Sequence, residues 1–298
     1  MIASIVGHYL LDIGQITREQ LHDLLKEQHK VRVKMGLIAV SEGLMTQEEA
    51  ERVNRLQAIM DMRFGDIAVE ERYLTEDQVE MLLKKQGNAY LSFAQALENQ
   101  QIMKMEQLEQ LSLDFQQDNH YTDEDMEILK SGDIERILNL YMPKGTEKYK
   151  MIASTAIRAL MRLVDEDIWV KNIGLTSSWQ SDKGSFQQVT GEKGFSCGLV
   201  GERDALAPIA CIFGQEHFMA VDEDALDAVG ELINCINGLI VTNMGEAEEG
   251  ENNLELCPPY FSLKIGQAKA KELLVISVEM LRQNVDFLIS LEEEIKLV

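Results

Sequence analysis

The N-terminal part of the chain repeats itself every 29 residues, and this period constrains the fold more than any other feature. The repeated positions are Gly7, Gly36, Gly65 and Ala94. Self-similarity at such a period is typical of stacked helical units, because one unit alone cannot bury its apolar face. The sequence therefore predicts an all-α repeat domain in this part of the chain.

Each repeat carries the signature of a helix start ten residues after the repeated position. These starts are Thr17, Thr46, Thr75 and, in the fourth unit, Lys104. The three threonines have Gln or Glu three residues later, which is the pattern of a capping box. Residues 4, 7 and 8 places after each start are mostly apolar and are predicted to share one helix face. We expect each unit to be a hairpin of a shorter helix, a tight turn and a second helix.

The two middle repeats resemble the MshE-type N-terminal domain of secretion and pilus ATPases. The residues that carry the resemblance are K-M-G-L-I-A-V-S-E-G-L-M-T from position 34 and R-F-G-D-I-A-V-E-E-R-Y-L-T from position 63. That family binds cyclic di-GMP, so the resemblance implies ligand contacts from Lys34, Arg63, Gln57 and Gln86. It also implies that the ligand approaches the backbone at Gly36 and Gly65. A purely structural or regulatory repeat is the alternative.

The repeat pattern lapses after residue 117, and a polar stretch with Pro143 and Gly145 marks a boundary. We therefore expect a helical repeat domain over 1–117, a linker with short helices over 118–146 and a second domain over 147–298. In the second domain, the segment from Met151 to Ile168 is predicted to form a helix that packs on a sheet. F-S-C-G-L-V-G and two late apolar segments are predicted strands. Helices and strands mix without regular alternation, so this domain is predicted to be an α+β domain of sandwich type.

A helical stretch near the middle of the second domain reads D-A-V-G-E-L-I-N-C-I-N-G from Asp227 to Gly238. Glu231 and Asn234 lie three residues apart and therefore project from one face of that helix. The stretch resembles the CheX/CheC/FliY family of chemotaxis phosphatases, in which a helix carries E-x-x-N between glycines. The resemblance extends over about residues 147–298, and Pro258 and Pro259 stand where that family has a proline before its closing strands.

The resemblance implies an enzyme that hydrolyses the aspartyl phosphate of a CheY-like response regulator in two-component signalling. Asn234 would orient the attacking water, and Glu231 would pair with a lysine of the receiver. The receiver would supply Mg²⁺, so the chain would need no cofactor of its own. The family also suggests a homodimer. Alternatively, Glu231 is a solvated helix residue and Asn234 a helix-bending one, and the chain is a non-catalytic dimeric scaffold or a cyclic di-GMP-sensing adaptor.

Composition excludes several other classes of function. The formal net charge of -23 repels nucleic acids and anionic membrane surfaces, so neither is an expected partner. The four cysteines are too far apart for a C-x-x-C metal or redox pair, and no metal site is predicted. The N-terminus lacks the basic segment of a signal peptide, and no apolar run reaches the ~20 residues that span a bilayer. We therefore expect reduced cysteines and a cytoplasmic protein.

Overall fold

The computed structural model describes residues 1–60, 62–247 and 253–298. These residues form two compact units, one of Ile2–Asp133 and one of Ile134–Val298 together with Met1. The division falls inside the 118–146 segment that the sequence marks as a linker. The first unit is helical and the second combines helices with an antiparallel sheet, which confirms the predicted α+β class.

The helices of the N-terminal unit follow one another in pairs. They are α1 (Ile2–Asp12), α2 (Arg18–Gln28), α3 (Met35–Ser41), α4 (Gln47–Met60), α5 (Phe64–Glu70), α6 (Glu76–Lys84), α7 (Ala89–Asn99), α8 (Met105–Asp118) and α9 (Asp123–Ser131). Within each of the first four pairs the turn has one residue with left-handed backbone, again at intervals of 29 residues. These residues are Gly14, Gly43, Arg72 and Gln101, with φ of 74°, 66°, 61° and 55°.

The second helix of a pair begins at a capping box where the sequence predicts one. The Thr–Gln or Thr–Glu pairs are Thr17–Gln20, Thr46–Glu49 and Thr75–Gln78, and in each the Thr N–H donates to the side chain over 2.8 Å. Each hydroxyl accepts from the N–H three residues on. At Lys104 only one of these two hydrogen bonds exists. The backbone N–H of Lys104 donates to the side chain of Gln107, but the lysine ammonium cannot accept a hydrogen bond in return.

The repeated glycines let the two helices of a pair approach each other closely. A Cβ at Gly7 would lie 2.3 Å from Cδ1 of Leu21, and a Cβ at Gly65 would lie 2.8 Å from Cγ1 of Val79. Gly36 faces Ala50 in the same way, at 3.3 Å. The space that the sequence assigned to a ligand at Gly65 is thus filled by the side chain four residues after the helix start.

The predicted helix face is buried at most of the residues 4 and 7 places after a helix start, although Val79 and Leu111 are half-buried. Leu21, Leu24, Ala50, Val53, Leu82 and Leu108 are buried, and these are residues 4 or 7 places after a helix start. The position 8 places after the start is less consistent. Leu83 is 48% exposed and Asn54 is also exposed. Eight residues turn a helix through 80° more than two full turns, so this position leaves the buried stripe.

The C-terminal unit has the following elements. They are α10 (Ile134–Tyr141), α11 (Lys150–Leu163), β1 (Trp169–Gln180), β2 (Lys183–Thr190), β3 (Phe195–Gly201), α12 (Ala207–Gly214), α13 (Glu223–Ala247), β4 (Glu255–Leu256), β5 (Tyr260–Ser262), β6 (Gln267–Met280), β7 (Gln283–Leu291) and β8 (Lys296–Leu297). The predicted strands correspond to β3, β6 and β7. The sequence did not identify β1 or β2, in which polar residues interrupt the apolar alternation.

The strands form one antiparallel sheet in the order β1-β6-β7-β3-β2-β4, with β5 also paired to β2 and β8 to β6. Strand residues alternate between the two faces of this sheet. Phe186 on β2 lies on one face, in an apolar cluster with Val200, Val275 and Leu288. Its neighbour Gln187 lies on the opposite face, which α13 covers. The alternation along β2 therefore directs a polar side chain at the helix that carries the E-x-x-N motif.

The predicted helix from Met151 to Ile168 is present as α11, but its neighbours differ from those expected. Its main contacts are with α13 and α10 instead of with the sheet. A hydrogen bond of 3.0 Å from Nδ2 of Asn243 to Oγ1 of Thr155 joins α11 to α13. The difference arises because α13, at 25 residues, already occupies the sheet face beside β2 and β3.

Candidate functional site

Glu231 and Asn234 lie on one face of α13, as the three-residue spacing predicts. Glu231 is exposed and Asn234 is half-buried. Nδ2 of Asn234 lies 3.4 Å from Oε2 of Glu231, within hydrogen-bonding distance. The structure thus presents a carboxylate and an amide side by side at the surface of the core helix.

The buried side of Asn234 contacts a residue that the sequence did not indicate. Nε2 of Gln187 donates a 2.7 Å hydrogen bond to Oδ1 of Asn234 and a 2.8 Å hydrogen bond to the backbone oxygen of Cys257. Oε1 of Gln187 accepts from Nδ2 of Asn237 over 2.9 Å. Gln187 and Asn237 are 1% and 0% exposed. A buried network of three amides therefore connects the surface asparagine to the sheet.

One of these residues left a signal in the sequence. Glu231, Asn234 and Asn237 recur every three residues, so the second asparagine lies near the same face of the helix. Gln187 left none, because a single polar residue in a strand does not reveal which element covers it. Its role became visible only when the structure placed α13 over β2.

Helix α13 is held in place by close packing beside the motif and by a capping residue at its start. Gly230 approaches Pro259, since a Cβ at Gly230 would lie 3.2 Å from Cβ of Pro259. At the start of α13, Oδ1 of Asp222 accepts from the N–H of Ala225 over 2.9 Å and acts as the N-cap. Gly238 has open space around it, so only one of the glycines that flank the motif is required for packing.

Among the groups of this unit with shifted pKa values are Asp204, Tyr260 and Cys197. The N–H of Val221 donates to Asp204 and lowers the pKa of that carboxyl, with a further contribution from Lys183. Burial raises the pKa of Tyr260 to about 12. Burial also raises the pKa of the Cys197 thiol, which lies under α13 and is therefore unreactive at neutral pH.

The arrangement leaves two hydrogen-bonding groups of Asn234 for a water molecule. An amide oxygen has two lone pairs, and Gln187 uses one of them. The amide nitrogen has two N–H groups, and Glu231 accepts from one. An acceptor and a donor therefore remain on the same rigid amide, which suffices to orient a water. Among the described residues no cluster of His, Cys, Asp or Glu could hold a metal ion.

The residues assigned to cyclic di-GMP do not share one site. Lys34 lines a cleft of 660 Å³ in the N-terminal unit, together with Lys104 and the carboxylates Glu51, Glu98 and Glu106. Gln57 is exposed on α4, and Nε2 of Gln86 donates to the backbone oxygen of Val33 over 3.4 Å. Neither glutamine lines that cleft within the described chain.

Arg63 lies outside the cleft and has a partner in the same helix turn. Its Nε and Nη2 donate to the two carboxylate oxygens of Asp66 over 2.8 and 2.9 Å. The side chain is 87% exposed, so the pair is solvated and a ligand would have to displace the carboxylate. Of the proposed contacts in the described chain, Lys34 and the backbone at Gly36 line this cleft, and the others do not.

One helix in the described part of the chain, α13, is long and apolar enough to cross a bilayer by length and composition alone. Its apolar segment has a mean hydropathy of 1.3, and half of that segment is buried within the unit. Because it packs on β2 and β3, it has the character of a core helix.

Comparisons with known proteins identify similar structures for the C-terminal half. A CheC-like superfamily protein from Shewanella is 15% identical with a TM-score of 0.41, and covers 48% of this chain and 95% of its own. The chemotaxis protein CheX from Desulfovibrio desulfuricans is 15% identical with a TM-score of 0.41, and covers 49% and 99%. A CheX–CheY complex from Borrelia burgdorferi is 18% identical with a TM-score of 0.35, and covers 48% and 97%. No protein-family model and no curated protein matches the chain.

Proposed function

We propose that the C-terminal unit is a phosphatase that hydrolyses the aspartyl phosphate of a CheY-like receiver. The observation that carries the proposal is the amide of Asn234, which is held at the surface of α13 by Gln187 and stands beside Glu231. An acyl phosphate is activated already, and the receiver binds the Mg²⁺ that neutralises its charge. The phosphatase then needs to supply little more than an oriented water.

In this mechanism Asn234 holds a water in line with the phosphorus–oxygen bond that breaks. Water attacks phosphorus, the aspartate oxygen leaves with the bonding electrons, and a proton passes from the water to solvent as inorganic phosphate forms. Glu231 pairs with a lysine of the receiver and fixes the distance between the amide and the phosphoryl group. Because the charge is neutralised by the partner's own metal ion and lysine, this chain requires no cofactor of its own.

The decisive measurement is the decay of phosphorylated receivers in the presence of Mg²⁺, with and without this protein. A panel of CheY-like receivers is phosphorylated with a small-molecule phosphodonor, and released phosphate is followed over time. We expect the wild-type chain to accelerate the decay of at least one receiver, and Asn234→Ala to lose that effect. If no receiver decays faster with the wild-type chain, the alternative of a non-catalytic dimeric scaffold is the better account.

For the N-terminal unit we propose a regulatory or docking role. Binding of cyclic di-GMP is the second candidate, and the observation that favours it is the cleft beside Lys34. Two further proposals, on binding partners and on the cellular compartment, follow from composition. The net charge of -23 is unsuited to nucleic acids and anionic lipid, and the four free cysteines fit the reducing cytoplasm. A homodimer is proposed on the resemblance alone, and size-exclusion chromatography with light scattering tests it.

A further inference from the structure

The amide of Gln187 has its orientation fixed by three hydrogen bonds. A backbone oxygen can only accept, so the 2.8 Å contact with Cys257 places the NH₂ group of Gln187 on that side. The same nitrogen, Nε2 of Gln187, also donates a hydrogen bond to Oδ1 of Asn234 over 2.7 Å. The two orientations of an amide are usually hard to distinguish, but here the carbonyl of Cys257 decides between them.

The orientation of Gln187 in turn determines that of Asn234. Because Nε2 of Gln187 is a donor, Asn234 must present its oxygen to the strand and its NH₂ group to the outside. That NH₂ group then faces Oε2 of Glu231 at 3.4 Å, which is the polarity that a carboxylate requires. The fixed donor in β2 thus sets which atom of the surface amide meets an incoming ligand.

Asn237 completes the network at a cost to folding. Its Nδ2 donates to Oε1 of Gln187 over 2.9 Å, but its Oδ1 is buried and has no hydrogen-bond partner among the residues that the structure describes. An unsatisfied buried oxygen is unfavourable, and an apolar side chain would fill this position of α13 without that penalty. The hydrogen bond to Gln187 is therefore the only visible benefit of an asparagine at this position.

Attachment of the strand to the helix does not require this network. On the same face of β2, two residues before Gln187, the buried Oγ of Ser185 donates to the backbone oxygen of Leu226 over 2.6 Å. Apolar contacts between α13 and the strands hold the same surfaces together. Unlike Ser185, Gln187 donates a hydrogen bond to the side chain of Asn234 at the site.

Resting on the phosphatase function proposed above, we propose that Gln187 and Asn237 are positioning residues that hold the Asn234 amide in its water-orienting rotamer. Asn237 fixes Gln187, and Gln187 fixes Asn234. Neither residue touches the substrate. Their contribution appears in the rate of the chemical step and not in the affinity for the receiver, because a misplaced amide loses alignment with the water while the docking surface stays intact.

The first experiment compares Gln187→Leu with Ser185→Ala on a phosphorylated CheY-like receiver. Gln187→Leu removes the donor, and we expect kcat to fall about 10- to 100-fold with KM changed less than about twofold. Ser185→Ala removes the neighbouring tie between strand and helix, so it is expected to lower the melting temperature and to leave kcat near the wild-type value. An equal fall in kcat for both variants would show that the network is only structural.

The second experiment uses Asn237→Leu, for which stability and activity are expected to move differently. The change removes the unsatisfied Oδ1 of Asn237 but leaves the buried Oε1 of Gln187 without its donor, so the melting temperature should change little. The turnover should nevertheless fall about 10-fold, because Gln187 loses the bond that orients it. Wild-type turnover in a stable Asn237→Leu protein would overturn the role of Asn237.

A third measurement does not depend on catalysis and separates this proposal from the phosphatase function. In protein labelled with ¹⁵N-asparagine, the side-chain NH₂ signal of Asn234 is assigned by its absence from Asn234→Ala. We expect this amide to be rigid in the wild-type chain and mobile in Gln187→Leu. That result supports the positioning role even if the wild-type chain dephosphorylates no receiver. An Asn234 amide that is equally rigid in both proteins refutes it.

Discussion

Nδ2 of Asn234 and Oε2 of Glu231 face each other across 3.4 Å on the exposed side of α13. The two side chains are therefore coupled, because a receiver lysine that pairs with Glu231 also changes what the amide of Asn234 faces. They differ in burial, since Glu231 is exposed and Asn234 is half-buried. This difference separates their expected roles, docking for the carboxylate and water orientation for the amide.

Asn234→Ala is expected to abolish turnover while leaving binding nearly unchanged. The amide acts on a water in the transition state, and its loss should lower kcat about 100-fold or more, as for other preorganised hydrogen-bonding groups. The affinity for a receiver that carries a non-hydrolysable phosphoryl mimic should change less than about twofold. Asn172, an exposed asparagine on β1, provides the control, and Asn172→Ala should behave as wild type. Full turnover by Asn234→Ala would show that the catalytic assignment is wrong.

Glu231→Ala is expected to weaken docking as well as turnover. The carboxylate is exposed, so its attraction for a receiver lysine is screened by salt. Binding of the mimic-loaded receiver should therefore be weaker for the variant, and the difference from wild type should shrink as ionic strength rises. Glu231→Gln keeps the size of the side chain and removes its charge. If Glu231→Gln binds like wild type at low salt, charge pairing is not the role of Glu231.

Cys235 offers a way to locate the docked receiver without measuring catalysis. Its thiol is exposed one residue after Asn234, whereas Cys197 is fully buried and burial raises its pKa. A thiol reagent should therefore label Cys235 and leave Cys197 unmodified in the folded chain. A saturating mimic-loaded receiver should slow the labelling of Cys235. If Cys235 is labelled at the same rate with and without the receiver, the docking surface lies elsewhere.

Features that depend on residues close together in the sequence were predictable, whereas contacts between residues far apart in the sequence were not. The capping boxes at Thr17, Thr46 and Thr75 were predictable because a helix start is determined by residues three positions apart. The placement of Glu231 and Asn234 was predictable for the same reason. Gln187 was not, since its partners lie 47 and 50 residues away along the chain and become neighbours only through packing. The close contact of Gly65 with the side chain of Val79 was not predicted either, because it depends on how the two helices of the hairpin pack.

Leu82→Ala is expected to destabilise the N-terminal unit by about 2–5 kcal/mol, because it removes a fully buried side chain and leaves a cavity. Glu80→Ala, on the exposed side of the same helix, should change stability by less than about 0.5 kcal/mol. Glu80 does pair with Lys84 at 2.8 Å, but both side chains are largely exposed. Chemical denaturation followed by circular dichroism measures both variants. Similar effects for the two would contradict the helix orientation.

Titration of the full-length chain with cyclic di-GMP tests the remaining assignment for the N-terminal unit. The ligand carries two negative phosphates, whereas the cleft beside Lys34 contains three carboxylates and two ammonium groups. One of those ammonium groups, on Lys104, already pairs with Glu51 at 2.6 Å. The field in the cleft is therefore unfavourable for a dianion.

Arg63 does not compensate for this charge, although an arginine can bind phosphate through paired hydrogen bonds. Its guanidinium already uses that geometry on Asp66, and it lies outside the cleft. We therefore expect calorimetry to show no binding heat at high micromolar ligand. Heat that disappears in Lys34→Ala and persists in Arg63→Ala would instead locate a nucleotide site in the cleft. Heat that disappears in Arg63→Ala alone would show that the ligand displaces Asp66, and the nucleotide-sensing interpretation would then replace docking as the account of this unit.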